Sequence, residues 1–232
     1  MFDVLHPIEN KLISYSEYLA YALENDFQNA NLALGGRCPV CSRRMKVRAG
    51  QTKSDGHFYH NDDLFCPSKD PNSRPYVCLP PTTIDPAAVQ KNRAFASDNM
   101  DLIWQRLKEI VPLLDIKEFI NILHEARRLN IYGYAGLEPK LLPYVYVTLI
   151  NFLPRNSVGK KRKLKFCFFY ESSINSFEDL WINKGEFSRL IRISYSKGLT
   201  KKVTLIETST SYLECNTKEL TSKQLAWCLR EM

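Results

Sequence analysis

The 232-residue sequence predicts an α+β protein in which a cysteine-rich module near the N-terminus precedes a helical middle and a C-terminal antiparallel sheet with a closing helix. Three observations carry this prediction. Apolar residues recur with the helical period between residues 86 and 153, they recur with a period of two after residue 164, and four of the seven cysteines fall within residues 38–78. With 44% apolar and 25% charged residues, the chain has the composition of a folded protein.

Residues 1–34 are predicted to contain one short helix. Residues 14–17, Ser-Tyr-Ser-Glu, have the S-x-x-E form of a capping box, which marks a helix start. Leu19, Leu23 and Phe27 then recur at intervals of four residues, which places them on one helical face.

The middle of the chain is predicted to form three helices. The first covers residues 86–111 and begins with an aspartate that suits the N-cap and a proline that suits the first turn. The second covers residues 115–129. It begins at Asp115, with Glu118 three residues later, and its apolar side chains follow the helical period. The third covers residues 138–153.

The last part of the chain is predicted to form a sheet and one helix. Residues 164–170 form a strongly apolar strand, and residues 189–195 and 203–207 form an antiparallel hairpin with a longer loop. Thr221 can cap a final helix that ends near Arg230.

The strongest chemical signal is Cys38-Pro39-Val40-Cys41, followed by His57-Phe58-Tyr59-His60 and then by Cys66. A C-x-x-C pair gives two thiolates to one ion, and structural zinc takes four sulfur or nitrogen ligands in a tetrahedron. The intervening residues read as a hairpin that returns residues 57–60 to the first pair, as in a zinc ribbon. We therefore predict zinc as the cofactor of a structural site with the ligands Cys38, Cys41, His60 and Cys66.

His57 and Cys78 are alternative ligands. Residues three apart on a strand point to opposite faces, so His57 and His60 should not face the same ion if this segment is extended. If the segment is helical, both histidines become available and Cys66 is dispensable. A catalytic zinc is a further alternative, with Asp62 or Asp63 as general base, but a four-ligand set closes the site and favours a structural role.

These features predict three parts. They are an N-terminal helical segment (1–34), a zinc-ribbon-like module (35–80), and an α+β domain (81–232) with helices over 86–153 and the sheet and final helix over 164–232.

The C-x-x-C pair, the basic hairpin and the H-F-Y-H run resemble the N-terminal zinc segment of CoiA-like competence proteins over residues 35–68. The resemblance implies a restriction-endonuclease-like nuclease domain after the zinc segment, with an E-x-K element. The predicted sheet does not supply that element where Glu207 is followed by Thr208 and Ser209. In size and make-up the chain is also similar to the compact large subunits of minimal CRISPR effector complexes, which implies antiviral defence.

The charge balance favours an anionic partner, since 32 Lys and Arg against 25 Asp and Glu give a net charge of +7. One basic cluster lies on the predicted zinc hairpin, where basic and apolar residues alternate, and a second precedes the first long strand. The candidate nucleic-acid-binding residues are Arg43, Arg44, Lys46, Arg48 and Lys53 in the first cluster, and Lys160, Lys161, Arg162 and Lys163 in the second.

We therefore expect a non-catalytic, zinc-stapled subunit that binds DNA or RNA, with other protein subunits as partners, in a larger defence or DNA-processing complex. A metal-dependent nuclease of the CoiA-like or HNH type is the alternative, and a protein-interaction module is the second. Phosphate-binding loops, dinucleotide-binding glycine motifs and nucleophile elbows have no match in the sequence, which favours a non-enzyme.

The N-terminal residues lack a signal-peptide pattern, and the longest apolar stretch, residues 141–153, is too short to cross a bilayer. We therefore expect a cytoplasmic protein with no membrane partner.

Overall fold

The computed structural model describes residues 1–48, 56–64, 66–69, 83–157, 160–171, 189–196, 199–215 and 218–232. These residues form two hydrophobic clusters that meet at a three-stranded sheet. The N-terminal layer (residues 1–48, 56–64 and 66–69) packs on one face of the sheet, and the helical layer (residues 83–153, 211–215 and 218–232) packs on the other.

The described residues of the N-terminal layer form two short antiparallel strand pairs and one α-helix. Its elements are β1 (Asp3–Leu5), β2 (Leu12–Ser14), α1 (Tyr15–Glu24), β3 (Lys46–Arg48) and β4 (His57–Tyr59). The predicted capping box is confirmed, because the Ser14 side chain accepts from the Glu17 backbone N–H while the Glu17 carboxylate accepts from the Ser14 backbone N–H. The predicted pairing of the segments around residues 47 and 58 is also confirmed.

Backbone hydrogen bonds tie the first residues to the cysteine-rich segment. Leu5 and Arg37 exchange two backbone bonds of 2.8 and 2.9 Å, and the Phe58 N–H donates to the Met1 carbonyl at 2.8 Å. The Met1 nitrogen donates in return to the Phe58 carbonyl at 2.9 Å. Residues 1–34 and 35–69 therefore share one hydrophobic cluster.

The helical layer contains five α-helices among the described residues. They are α2 (Pro86–Asp98), α3 (Met100–Ile110), α4 (Ile116–Arg128), α5 (Leu142–Leu149) and α6 (Ser222–Glu231). The predicted caps at Asp115 and Thr221 are confirmed, and each forms a complete capping box. In the described part of the chain, every helix is too short or too polar to span a bilayer.

Two predicted helices differ from those observed. The helix predicted over residues 86–111 is broken at Asn99, whose backbone is not helical and whose side-chain amide donates to the Phe95 carbonyl at 2.8 Å. Asparagine favours such breaks because its side chain competes for backbone hydrogen bonds. The third predicted helix is shorter than expected. It begins only at Leu142, next to Pro143, because a proline fits the first turn but not a helix interior.

The described residues of the C-terminal part form five strands. They are β5 (Arg155–Ser157), β6 (Lys160–Arg162), β7 (Lys165–Glu171), β8 (Arg189–Ser196) and β9 (Leu199–Ile206). Strands β5 and β6 pair with each other, and β7, β8 and β9 form the antiparallel sheet in that order. The prediction of a longer loop between β8 and β9 is wrong, because β8 continues to Ser196 and β9 already begins at Leu199.

The strand β7 is buried on both faces. Phe166 and Phe168 belong to the helical cluster, whereas Cys167 and Phe169 belong to the N-terminal cluster. Burial on both faces explains the uninterrupted apolar run, since a half-exposed strand would alternate with polar residues.

Two hydrogen bonds fix the N-terminal layer on the sheet. The Tyr195 hydroxyl donates to the Ser68 carbonyl at 3.4 Å, and the Val203 N–H donates to the Asp3 carboxylate at 3.3 Å. The cysteine-rich segment is therefore held directly over β8. The α+β prediction is confirmed, with the antiparallel sheet and the closing helix α6 in place.

Candidate metal centre and basic hairpin

A tight turn presents the first two cysteines. The Ser42 N–H donates to the Cys38 carbonyl, and the Cys38 N–H donates to the Arg43 carbonyl, both at 2.8 Å. Ser42 has a φ of 56°, in the left-handed region, and this reverses the chain after Cys41. The turn therefore brings the Cys38 and Cys41 sulfurs to the same side.

The structure brings together the four residues predicted as metal ligands. The ligand atoms of Cys38, Cys41, His60 and Cys66 all lie within 4.8 Å of one another. The Sγ atoms of Cys38 and Cys66 are 3.9 Å apart, and the Cys41 Sγ lies 3.2 Å from the His60 Nε2. Four donors converge on one point, so the cluster could hold a metal ion.

The alternative ligand His57 does not join this cluster. His57 lies opposite Arg48 in the β3–β4 pair, and the cluster found among the described residues contains His60 in its place. This outcome agrees with the alternation of side chains along an extended strand. Cys78 lies outside the described residues.

Burial distinguishes the four donors. Cys38 and Cys66 are fully buried, whereas Cys41 and His60 are half-buried. The buried Ser68 hydroxyl lies 3.1 Å from the Cys66 Sγ and 3.9 Å from the Cys38 Sγ. A hydroxyl in this position can donate to a thiolate and so stabilise its charge. Sequence reasoning missed Ser68, and its place two residues after a ligand was the only signal.

The pKa values of the donors shift in different directions. Hydrogen bonding to Cys41 raises the pKa of the Cys38 thiol, and the same bond lowers the pKa of Cys41. Burial lowers the pKa of His60, but its hydrogen bonds to Cys41 and Cys66 outweigh burial and raise that pKa to about 9. A divalent cation would replace these protons, since metal ligands bind in their deprotonated forms.

A salt-bridge network braces the loop that carries His60 and Cys66. The Arg43 guanidinium donates to the Asp62 carboxylate and, at 3.2 Å, to the Leu64 carbonyl. The Lys69 ammonium donates to the Asp62 and Leu64 carbonyls at 2.8 and 2.9 Å. Arg43 was predicted to contact nucleic acid, but the structure uses it to hold the ligand loop. Asp62, the candidate general base, is engaged in the same network.

The strand β3 and the two residues before it have the alternation that the sequence predicts. Arg44, Lys46 and Arg48 are exposed, whereas Met45 is buried and Val47 packs against the N-terminal cluster. The hairpin therefore presents a basic face to solvent while its apolar face is held by the core.

The strand β4 separates its two aromatic residues. Phe58 is only 1% exposed, and its ring meets those of Tyr18 and Tyr15 edge-on at centroid distances of 5.2 and 6.2 Å. Tyr59 lies on the other face, with the Arg48 guanidinium 5.1 Å from its ring centroid. Of the two, Tyr59 is placed to contact a ligand, and Phe58 is a core residue.

The second basic cluster contains one incorrect prediction. Arg162 is 4% exposed, and its guanidinium donates to the Glu118 carboxylate and to the Leu153 carbonyl. It cannot reach a phosphate, because it is enclosed in the helical layer. Lys161 and Lys163, its neighbours on either side, are exposed.

Two candidate nucleic-acid-binding residues have side chains that the structure does not describe. Lys53 lies outside the described residues, and Lys160 lies in β6 but its side chain is not among those described. The β5–β6 hairpin contacts the helical layer through Arg162, whereas the β3–β4 hairpin belongs to the N-terminal layer. The two basic clusters therefore lie in different layers of the molecule.

No family model, no curated protein and no solved structure matches the chain.

Proposed function

We propose that this protein is a non-catalytic zinc protein that binds nucleic acid through the basic face of its β3–β4 hairpin, as a subunit of a larger defence or DNA-processing complex. One observation carries the proposal. The exposed Lys46 and Arg48 lie on a strand whose partner, β4, leads directly to His60 in the metal centre. A bound ion would thus fix the basic face in position.

The donor set supports zinc as the ion. Three thiolates and one imidazole form one of the ligand sets of structural zinc, whereas magnesium and calcium take oxygen ligands. A zinc tetrahedron with sulfur bonds of about 2.3 Å has edges of about 3.8 Å. The 3.9 Å between the sulfurs of Cys38 and Cys66 fits such an edge. Four ligands leave no open position for a reacting water, which supports a structural role.

The geometry also supports phosphate binding. Arg44, Lys46 and Arg48 share one face of a paired backbone, since Arg44 bridges Arg37 while Lys46 and Arg48 pair with β4, and the opposite face is packed. Cations held on a rigid element can contact phosphates with little further loss of conformational entropy. The net charge of +7 favours the encounter with any polyanion.

The test is the salt dependence of binding. Fluorescence anisotropy with labelled DNA and RNA, between about 50 and 200 mM salt, should give a falling log–log plot of affinity. The double variant Lys46→Glu/Arg48→Glu should weaken binding at every salt concentration. It should also reduce the slope by about 1.4–1.8, because each of the two lost phosphate contacts removes about 0.7–0.9.

The matched control is Lys117→Glu/Lys223→Glu, which makes the same charge change at exposed positions on α4 and α6. It should weaken binding much less than the hairpin variant. An equal loss in both variants would contradict a site on the hairpin, and no binding at low salt would contradict the proposal as a whole. DNA cleavage in magnesium or manganese that disappears in His57→Ala or Asp62→Asn would contradict the non-catalytic role.

A further inference from the structure

A groove with a volume of about 550 Å³ lies beside the metal centre. One wall is the β3–β4 hairpin with the loop that follows it, and the other is the segment of residues 30–35 together with α1. The polar and aromatic lining residues are Tyr18, Asn31, Arg44, Lys46, Tyr59, Asn61 and Asp62. This volume lies within the range of small-ligand sites, which runs from about 300 to 1,000 Å³.

The walls of the groove are fixed by close packing. The Tyr18 hydroxyl donates to the Ala30 carbonyl at 3.0 Å, and the Met45 N–H donates to the Gly36 carbonyl at 2.7 Å. A Cβ at Gly35 would lie 2.2 Å from the Met45 carbonyl oxygen, so only glycine allows this approach of the segment to β3. The groove is therefore formed before any ligand binds.

The lining combines the three kinds of protein group that bind unpaired nucleotides. Arg44 and Lys46 supply cations for phosphate, and Asn31 and Asn61 are exposed amides that can pair with base edges. Tyr59 supplies an aromatic ring, over which the Arg48 guanidinium already lies. Aromatic rings and arginine planes are the usual surfaces on which unpaired bases stack.

Among the groove's lining residues, the one acidic side chain has its negative charge balanced by ion pairs. Asp62 forms ion pairs with Arg43 and Lys69 on the side of the ligand loop. The charges offered by the groove itself are thus those of Arg44 and Lys46, which favours an anionic ligand.

The concave shape favours a single strand over a duplex. Proteins read a duplex with convex elements, such as a helix or a two-stranded ribbon inserted into a groove of the nucleic acid. A duplex could touch only the basic rim here, because its bases remain stacked and paired. A single strand can turn a base into the groove while its phosphates stay on the rim.

We infer that this groove binds an unpaired base of single-stranded nucleic acid, stacked at Tyr59, with the flanking phosphates held by Arg44 and Lys46. The inference rests on the proposed function and deepens it, because it names the form of nucleic acid that the hairpin recognises.

The experiment compares three probes of about 12 nucleotides, which are a single strand, an abasic strand with the same phosphates, and a duplex. Wild-type protein should bind the single strand about ten-fold more tightly than the abasic strand, the effect of stacking one base. Tyr59→Ala should remove this difference, whereas Tyr59→Phe should retain it because the ring remains. Metal content is measured for each variant, since Tyr59 precedes His60.

Asn31→Ala provides a second variant that is remote in sequence from the metal ligands. It should weaken binding of the single strand and leave binding of the abasic strand unchanged. Equal affinities for the single and abasic strands, or tighter binding of the duplex, would overturn the inference. If Lys46→Glu/Arg48→Glu still weakens the binding of all probes in that case, the proposed function stands although the groove does not bind a base. If no probe binds at low salt, both are overturned.

Discussion

The two layers of this protein pack against one sheet, but they are held together in different ways. The helical layer buries large apolar residues such as Phe119, Leu107 and Tyr146 between helices of 8–13 residues. In its described residues, the N-terminal layer has strands of three residues and one α-helix of 10. Two-stranded ribbons of this length are marginal by themselves. A small module of this kind needs a metal or a similar staple, whereas the helical layer has a sufficient core.

The layers also use arginine in opposite ways. Arg48 lies on the surface of the N-terminal layer, over the Tyr59 ring. Arg162 is buried in the helical layer, where it pairs with Glu118 at the start of α4. The same residue type thus offers a binding surface in one layer and a structural ion pair in the other. A run of basic residues in a sequence does not reveal which of these it will be.

The largest expected effect is loss of the metal. Cys38→Ser, or chelation of the wild type, should unfold the described residues of the N-terminal layer, because structural zinc contributes roughly 10–16 kcal/mol of folding free energy in small domains. The helical layer should persist. Hydrogen exchange resolved by peptide would measure both layers, and fluorescence of Trp104 would report the helical layer in which it is packed.

The control for this prediction is Cys215→Ser, a change at an exposed cysteine outside the cluster. It should keep the metal and all exchange protection. A single transition in which both layers lose protection together on chelation would show that the layers are not separately stabilised.

The second largest expected effect is a difference in stability between substitutions of Arg162 and of Arg48. Arg162→Ala should lower the free energy of unfolding by about 3–5 kcal/mol, because it leaves the Glu118 carboxylate without its buried partner. Arg48→Ala should change it by less than about 0.5 kcal/mol, as is usual for exposed residues. Urea unfolding of both variants measures the difference. Similar values for the two would contradict the opposite roles.

The smallest effect concerns the caps of α1 and α6. Ser14→Ala and Thr221→Ala should each cost about 1 kcal/mol in the metal-loaded protein, since each removes a side-chain cap. After chelation only Thr221→Ala should still lower stability, because α1 belongs to the layer that the metal holds. Urea unfolding with and without chelator tests this, and a persistent cost of Ser14→Ala without metal would count against the separation of the layers.

Sequence reasoning succeeded where chemistry or local pattern is decisive. The spacing of Cys38, Cys41, His60 and Cys66 identified the cluster, because few residue types bind metal and the strand period allows only one of His57 and His60 to face the ion. The capping boxes identified the starts of α1, α4 and α6 from four residues each.

It failed where the outcome depends on distant partners. The burial of Arg162 depends on Glu118, 44 residues earlier in the chain. The break at Asn99 depends on a small free-energy difference between a continuous helix and a helix end at which the Asn99 side-chain amide donates to the Phe95 carbonyl. The groove depends on how closely residues 30–35 approach β3, and no local pattern carries this information.

Elemental analysis of protein purified without added metal tests the central claim most directly. The account predicts one zinc ion per chain in the wild type and in Cys215→Ser, and none in Cys38→Ser. Wild-type protein that contains no stoichiometric zinc, yet keeps its exchange protection over residues 1–48 and 56–69, would contradict it.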